Sequence, residues 1–558
     1  MPGSNSTQNN NDGIRASQLS RRKFLGSAAA IGAASVVAPA FAGRASYAAQ
    51  SWEVKPFELD EVTVAELQDG MNSGKFTARS IAQKYLDRIA EIDKRGPAVN
   101  SLIEINPDAL SIADSLDAER KSKGPRGPLH GIPVLIKDNI GTADRMMTTA
   151  GSLALSGFTP TKDSAVARRL REAGAVILGK TNLSEWANFR SSHSSSGWSG
   201  RGGQTHNPYA IDRNPCGSSS GSGAAASANL AAITIGTETD GSIVCPSSTN
   251  GVVGIKPTVG LVSCAGIIPI SHTQDTAGPI CRCVADAATL LSAIAGVDPD
   301  DAATENPSRK AEADYTKFLD RSGLRGARIG VVRRLFGSNE KIAPIMKNAL
   351  DAMQSEGAVL IDPVEISSLG KLGEAENIVL QYEFKADMDS YLAQFPNAPM
   401  HSLQDIIEFN ERNSDKELLY FGQNILIESE QRGPLTDKIY LDALEKNHRL
   451  AREEGIDAVM DKYNLDALIG STGGPAWMTD LVDGDHGGGG SSSLPAVAGY
   501  PHITVPAGFI FGLPVGISFF GRAWSESILI KIAYAFEQTT RVRKPPQFLP
   551  TVNLAPGS

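Results

Sequence analysis

The residues of this chain are patterned for an α/β architecture. An amphipathic stretch over 163–174 leads directly into an apolar, strand-like run over 175–178, a common helix–strand unit. The alternation returns as a strand over 327–332, a helix over 341–356 and a strand over 358–362. Farther on, apolar runs at 466–470, 502–509 and 515–520 read as buried strands before a helix over 525–540. With 558 residues, 41% of them apolar, the chain can fill one large domain or several ordinary ones.

Charge and cysteine content narrow the function classes. Net charge is −9, from 62 acidic and 53 basic residues, with no dense Lys/Arg patch. Nucleic acid is not an expected partner, because phosphate neutralisation needs a clustered basic surface. Five cysteines cannot all pair within one chain, and Cys281-x-Cys283 lacks zinc-ribbon spacing. The expectation is therefore no disulfide framework and no structural metal.

Residues 1–13 are polar. Ser20-Arg21-Arg22-Lys23-Phe24-Leu25-Gly26 then precedes a mildly apolar Ala/Gly/Val-rich run to Ala42, the basic, apolar, small-residue order of a secretory signal. The paired arginines before Phe24-Leu25 look like a twin-arginine signal, with Gly26 where a lysine often stands. Residues 1–48 are expected to be the signal, with cleavage after Ala48 favoured over Ala42. The export machinery is the implied partner, and the periplasm or the exterior the implied location. The alternative is a transmembrane anchor, but the run is short and weakly apolar for a span. No stable anchor is expected after processing. Export in the folded state fits cysteines that need no oxidation.

From 64 to 93, Leu67, Met71, Ile81, Tyr85, Leu86, Ile89 and Ile92 recur at helical spacing. A second helix is expected over 107–121, with Pro107 near its first turn. These helices show no chemistry. The run 129–139 differs, because an apolar strand ends on Lys137. A charged, unpaired lysine closing a buried strand costs several kcal/mol. Either a carboxylate such as Asp138 pairs with it, or it is held neutral and can act as a base.

Lys180 ends the next apolar run and rivals Lys137. The string from Gly174 to Gly179-Lys180-Thr181 matches a phosphate-loop pattern formally. A phosphate loop follows a strand, whereas 175–178 is itself strand-like, so that reading is discounted. The loop 191–203 is low in apolar residues except Trp198. It reads as a solvated loop or as part of a substrate rim.

The least ordinary stretch is 214–257, rich in Ser, Gly and Ala and almost uncharged. Residues 224–231 read as a small-residue helix and 232–235 as a short buried strand. Gly217-Ser218-Ser219-Ser220-Gly221 and Asp240-Gly241-Ser242 read as turns. Glycine there lets backbone N–H groups converge on one point. A serine beside such a nest can attack a carbonyl whose oxygen those groups hold. Beyond it, Asp275 either holds a loop or helps to position the serines. Residues 296–323 are polar and loop-like, and 365–464 are mostly helical and charged with no visible chemistry. Gly/Ser loops follow at 471–474 and 487–493. No fixed-period repeat is present.

Segments 216–221, 236–242 and 251–257 closely resemble, in order and spacing, the signature of the amidase signature family. Its pattern is Gly-Gly-Ser-Ser-Gly-Gly, a small-residue helix, Gly-Thr-Asp-x-Gly-Gly-Ser, and Gly-x-x-Gly-Leu-Lys-Pro. Gly131-Ile132-Pro133 through Lys137-Asp138 matches a further family segment. Residues 260–279 and Gly499-Tyr500-Pro501 through Gly516 extend the resemblance over most of the chain. It implies one large domain over 49–558 with a central mixed β-sheet flanked by helices. A variable, mostly helical region at about 300–464 would supply much of the substrate pocket.

The resemblance also implies roles. Ser242 becomes the nucleophile, Ser218 a bridging serine with a cis peptide bond, and Lys137 the base. Ser219 and Ser220 are close competitors of Ser218. Backbone N–H groups of Thr239, Asp240, Gly241 and Ser242 would form the oxyanion hole. Trp186 and Trp198 are candidate substrate-binding residues. No cofactor and no metal are implied, and the substrate is a small-molecule or peptide amide.

Three residues depart from the family pattern. Asp240 puts a carboxylate where glycine is usual, Glu238 replaces aspartate, and Val244 stands where arginine is frequent. The Thr237-to-Pro246 form, with 180–190 and 202–205, looks like the bacterial peptide amidase subgroup, which deamidates peptide C-termini. Amidases of other aliphatic or aryl amides are the alternative. Export argues against the related tRNA-dependent amidotransferase subunit. Rival chemistries are a Ser-His-Asp triad using one of eight histidines and a cysteine nucleophile at Cys216 or Cys245. A periplasmic binding protein on an inactive amidase fold is the rival of a different class.

Overall fold

The computed structural model describes residues 52 and 54–554, except 307, 488 and 489. The expected signal at 1–48, with its paired arginines and both cleavage candidates, lies outside the described residues. No helix among the described residues is long and apolar enough to cross a membrane.

One sheet of 11 strands organises the chain. In chain order they are β1 Leu102–Ile105, β2 Pro133–Lys137, β3 Val176–Thr181, β4 Ile233–Glu238, β5 Val253–Lys256, β6 Thr276–Cys281, β7 Arg328–Val331, β8 Val359–Ile361, β9 Ala467–Ser471, β10 His502–Ile510 and β11 Leu513–Phe520. They lie side by side as β1-β3-β2-β4-β6-β5-β10-β11-β9-β7-β8. β2 runs parallel to both β3 and β4. β7 runs parallel to β8 and β9, and the pairs between these groups are antiparallel. The sheet is mixed and joins strands from both ends of the sequence, so the fold is a single α/β domain, as expected.

Local chemistry explains how the N-terminal helical stretch is divided. It forms Val64–Asn72 and Ala78–Ile92, each opened by a capping box, from Thr63 with Glu66 and from Thr77 with Ser80. Gly74, at φ 77°, turns the chain between them. Three strands had no clear sequence signal: β1, β5 and β6. β6 is wholly buried between β4 and β5 although it contains Gly278-Pro279, a pair that commonly marks turns. A Cβ on Gly278 would lie 2.0 Å from the Ile255 carbonyl oxygen, so the glycine permits this close pairing.

The variable region is helical, with Gly373–Ala393, Leu403–Arg412, Asn424–Glu430 and Lys438–Ala451 as its main helices. It is anchored by burial: Phe384, Met388, Tyr391 and Phe395 pack with Phe158 and Trp186 in one apolar cluster. Buried side chains of this size each contribute on the order of 2 kcal/mol.

Candidate active site

Parallel neighbours deliver their C-terminal ends to the same edge of a sheet, which is where α/β folds place ligands. β2 ends on Lys137, and β4 ends on Glu238 and runs into Thr239-Asp240-Gly241-Ser242. The helix Ser220–Ser227 lies against β4, and the serine loop enters it at its N-terminal end. Gly236 makes that approach possible, because a Cβ there would lie 2.6 Å from Ser219 Oγ.

Lys137 is fully buried. Its Nζ lies 2.8 Å from Ser218 Oγ, 2.8 Å from Thr237 Oγ1 and 3.3 Å from the Thr237 carbonyl oxygen. Burial pulls its pKa down to about 7, against the opposing pull of the Asp275 and Glu238 charges. Thr237 is a contact that sequence reasoning missed. Threonine is an ordinary strand residue, and only its place on β4 beside Lys137 gives it a role. Asn139 Nδ2 donates to the same Thr237 hydroxyl at 3.0 Å.

The three competing serines differ in their partners. Ser219 Oγ accepts from Thr237 N–H and donates to Thr237 O. Ser220 Oγ donates to Cys216 O at 2.7 Å. Only Ser218 of the three meets Lys137, and the Gly217–Ser218 peptide is cis, as the resemblance implied. Ser242 adjoins this segment: its carbonyl accepts from Ser219 N–H at 3.1 Å. Its hydroxyl makes no hydrogen bond to Ser218 among the described residues. The N–H groups of Asp240, Gly241 and Ser242 also donate to no protein acceptor there, and Gly241 turns the chain at φ 82°.

The acidic departures have structural partners. Glu238 Oε2 accepts from the N–H groups of Ile243 and Val244, at 2.7 and 3.0 Å, just after Ser242. Asp240 is matched by Glu376 from the variable helix Gly373–Ala393. Burial and the adjacent Asp240 charge hold Glu376 well above the usual carboxylate range. Asp275 holds loops, as one of its two expected roles requires. Its carboxylate accepts from the N–H groups of Ile270 and Ser271 and from Thr239 Oγ1, three residues before Ser242. Burial raises its pKa to about 6.

Cys216 and Cys245 form a disulfide with Cα atoms 6.0 Å apart, which corrects the expectation of no disulfide. Cysteine count and spacing could not show it, because the fold brings the two serine-bearing segments together. The bond also removes both cysteines as free thiol nucleophiles.

The rival bases and phosphate loop find no geometry. Lys180 lies inside strand β3 and donates to Ile140 O and Thr148 Oγ1. No histidine ring among the described residues is hydrogen-bonded to Ser218 or Ser242. His502, for example, meets Ser518 Oγ at 2.6 Å. Ligand atoms of His272, Glu383 and Asp387 lie within 4.8 Å of one another. Their bonds are already used within the protein: His272 with Asp387, and Glu383 with Ser271, Thr273 and Tyr440.

In the comparison with known proteins, the Amidase family model matches residues 80–530. The chain belongs to the amidase signature family. It is a hydrolase of amide C–N bonds. The structure of native peptide amidase from Stenotrophomonas maltophilia is similar at 53% identity and a TM-score of 0.85, covering 88% of this chain and 100% of that one. A protein named a probable amidase from Arabidopsis thaliana is 43% identical, over 88% of this chain and 93% of its own. A protein named a putative amidase from Schizosaccharomyces pombe is 38% identical, over 88% of this chain and 87% of its own.

In this amidase the two candidate rim tryptophans sit inside packed clusters. Trp186 is 2% exposed in the cluster with Phe384. Trp198 is 5% exposed, edge-on to Tyr420 and Phe421. The Arg190 guanidinium lies 5.1 Å from the Trp198 ring centre and is paired with Glu185 at 2.6 Å.

Proposed function

We propose that this amidase releases ammonia from C-terminally amidated peptides, with Ser242 as nucleophile, Ser218 as proton bridge and Lys137 as base. The observation that carries the chemistry is the surroundings of Lys137 Nζ, buried and 2.8 Å from Ser218 Oγ. A neutral amine has two N–H groups and one lone pair. Thr237 supplies two acceptors, and the lone pair is left for the Ser218 hydroxyl. Burial disfavours the charged form by roughly 5 kcal/mol relative to water, which brings the neutral and charged amines into balance near pH 7.

Neutral Lys137 takes the Ser218 proton as Ser218 takes that of Ser242, and Ser242 Oγ attacks the carboxamide carbon. The N–H groups of Thr239 to Ser242 hold the oxyanion, each contributing about 3 kcal/mol. The proton returns through Ser218 to the leaving nitrogen, the C–N bond breaks, and ammonia departs. Water then hydrolyses the acyl-enzyme to the acid.

The peptide part of the reading is supported by the similarity to the Stenotrophomonas peptide amidase over that chain's full length. The same reading places the mature chain in the periplasm or outside the cell after twin-arginine export. The Cys216–Cys245 bond supports the location, since disulfides persist in oxidising compartments, and removes the argument for folded export from cysteines that need no oxidation. Cell fractionation that finds the processed chain in the cytoplasm would contradict it.

The test is ammonia release from short amidated peptides, with Ser242→Ala alongside. Ammonia from the wild type alone is expected. Turnover of an anilide or aliphatic amide without peptide deamidation moves the substrate and keeps the mechanism. No turnover of any amide by the folded protein favours a binding protein instead.

A further inference from the structure

The helix Lys438–Ala451 does not end cleanly. It passes into a π-type turn at Arg452–Ile456, where Gly455 leaves helical geometry at φ −106° and ψ −111°. Single π turns within helices recur at functional sites. This one places Arg452 on the wall of a cavity of about 560 Å³, within the size range of small-molecule sites. Lys137, Ser218 and Ser242 do not line it.

The cavity is built around an under-used guanidinium. Arg452 Nε donates to Ala498 O at 2.9 Å. Its two terminal nitrogens meet no hydrogen-bond acceptor or carboxylate partner among the described residues. The guanidinium lies 5.9 Å from the Tyr500 ring centre, and the Tyr500 hydroxyl donates to Asp457 at 2.8 Å, which fixes the ring. Trp524 lines the same cavity. It is held at φ 66°, an unusual conformation for a bulky residue, by donating its N–H to Thr258 Oγ1 at 2.9 Å. Its indole N–H has no partner among the described residues.

We propose that this cavity is a second ligand site, for a small carboxylate on a flat apolar body. The planar guanidinium fork offers two parallel N–H donors to a carboxylate, and the Tyr500 and Trp524 rings flank the body. A phosphate dianion fits less well. Arg452 is the only cationic side chain lining the cavity among the described residues, and the exposed Glu305 adds a negative charge at its wall. The proposal is independent of the peptide-amide reading.

Phenylacetate is the probe, with 2-phenylethanol as its uncharged counterpart. The full chain carries five tryptophans, and only Trp524 lines the cavity. Labelling with 5-fluorotryptophan, with Trp524→Phe for assignment, separates this site from the region of Trp186 and Trp198. Phenylacetate is expected to shift the Trp524 fluorine signal saturably, while 2-phenylethanol leaves it in place. Arg452→Gln should weaken binding at least tenfold and Arg452→Lys by less, with amide turnover unchanged. The proposal fails if the Trp524 signal is unmoved in the wild type, or if the two probes act alike. It also fails if only Trp186 or Trp198 responds, or if both arginine variants bind as the wild type does.

Discussion

Two lysines sit one strand apart. Lys137 on β2 stands in register with Thr181 on β3, and Lys180 on β3 with Ile136 on β2. Both are fully buried, and burial lowers both, to about 7 and about 8. Each meets a backbone carbonyl and a threonine hydroxyl, and Lys137 meets a serine besides. Lys180 donates to a carbonyl and to Thr148, with Asp138 as its foremost charge neighbour. Lys137 meets a serine whose segment is bonded to that of Ser242. Burial and a hydroxyl partner are common to both; what sets Lys137 apart is that its serine belongs to a segment bonded to that of Ser242.

The comparison breaks most sharply under substitution. Lys137→Ala is expected to lower kcat/KM by at least about two to four orders of magnitude, the range that general-base catalysis contributes, while the protein stays folded. Lys180→Met should instead lower the melting temperature, because Ile140 O and Thr148 Oγ1 lose their donor. Turnover per folded molecule should stay within tenfold. Equal kinetic losses from the two variants, measured beside their melting curves, would remove the distinction.

The pH profile sharpens it. Catalysis needs the neutral amine, so kcat/KM should rise about tenfold per pH unit below about 7 and level off above it. Stability has a separate sign. The unfolded chain binds more protons than the folded one between the lowered pKa values and about 10.4, so both lysines make stability rise with pH in that window. A rate limb that persists unchanged when Lys137 is replaced would belong to another group. A limb that disappears in Lys180→Met would reverse the assignment.

Much of this site was legible because its pieces are local in sequence. A strand that ends on a lysine, and serines set among glycines, carry their signal within a few residues. The resemblance then fixed the spacing between them. What could not be read depends on contacts between distant segments. Thr237 matters only because β4 lies beside β2. Glu376 matters only because a helix from the variable region reaches Asp240. β6 hides behind Gly278-Pro279, a turn-like pair that the sheet overrides. Trp198 stands in a loop low in apolar residues and Trp186 in the segment just before it, yet partners from the variable region help to bury both.

The smallest kinetic effect is expected at the disulfide, which lies on the Lys137 side of the comparison. Cys216 is two residues before Ser218 and Cys245 three after Ser242, so the bond spans the two serine segments. Other bonds span them as well. Pro215 O accepts from Thr249 Oγ1 and Asn250 Nδ2 at 2.8 and 2.9 Å, and Ser242 O accepts from Ser219 N–H. The double variant Cys216→Ser, Cys245→Ser should therefore lose stability, by about 3 kcal/mol for a loop of this length. Well below its melting temperature, its kcat should stay within a few-fold of the wild type. Denaturant unfolding and initial rates on the same preparation check both halves. If kcat falls as far as in Lys137→Ala while the fold persists, the covalent link aligns the serines, and hydrogen bonds alone do not suffice.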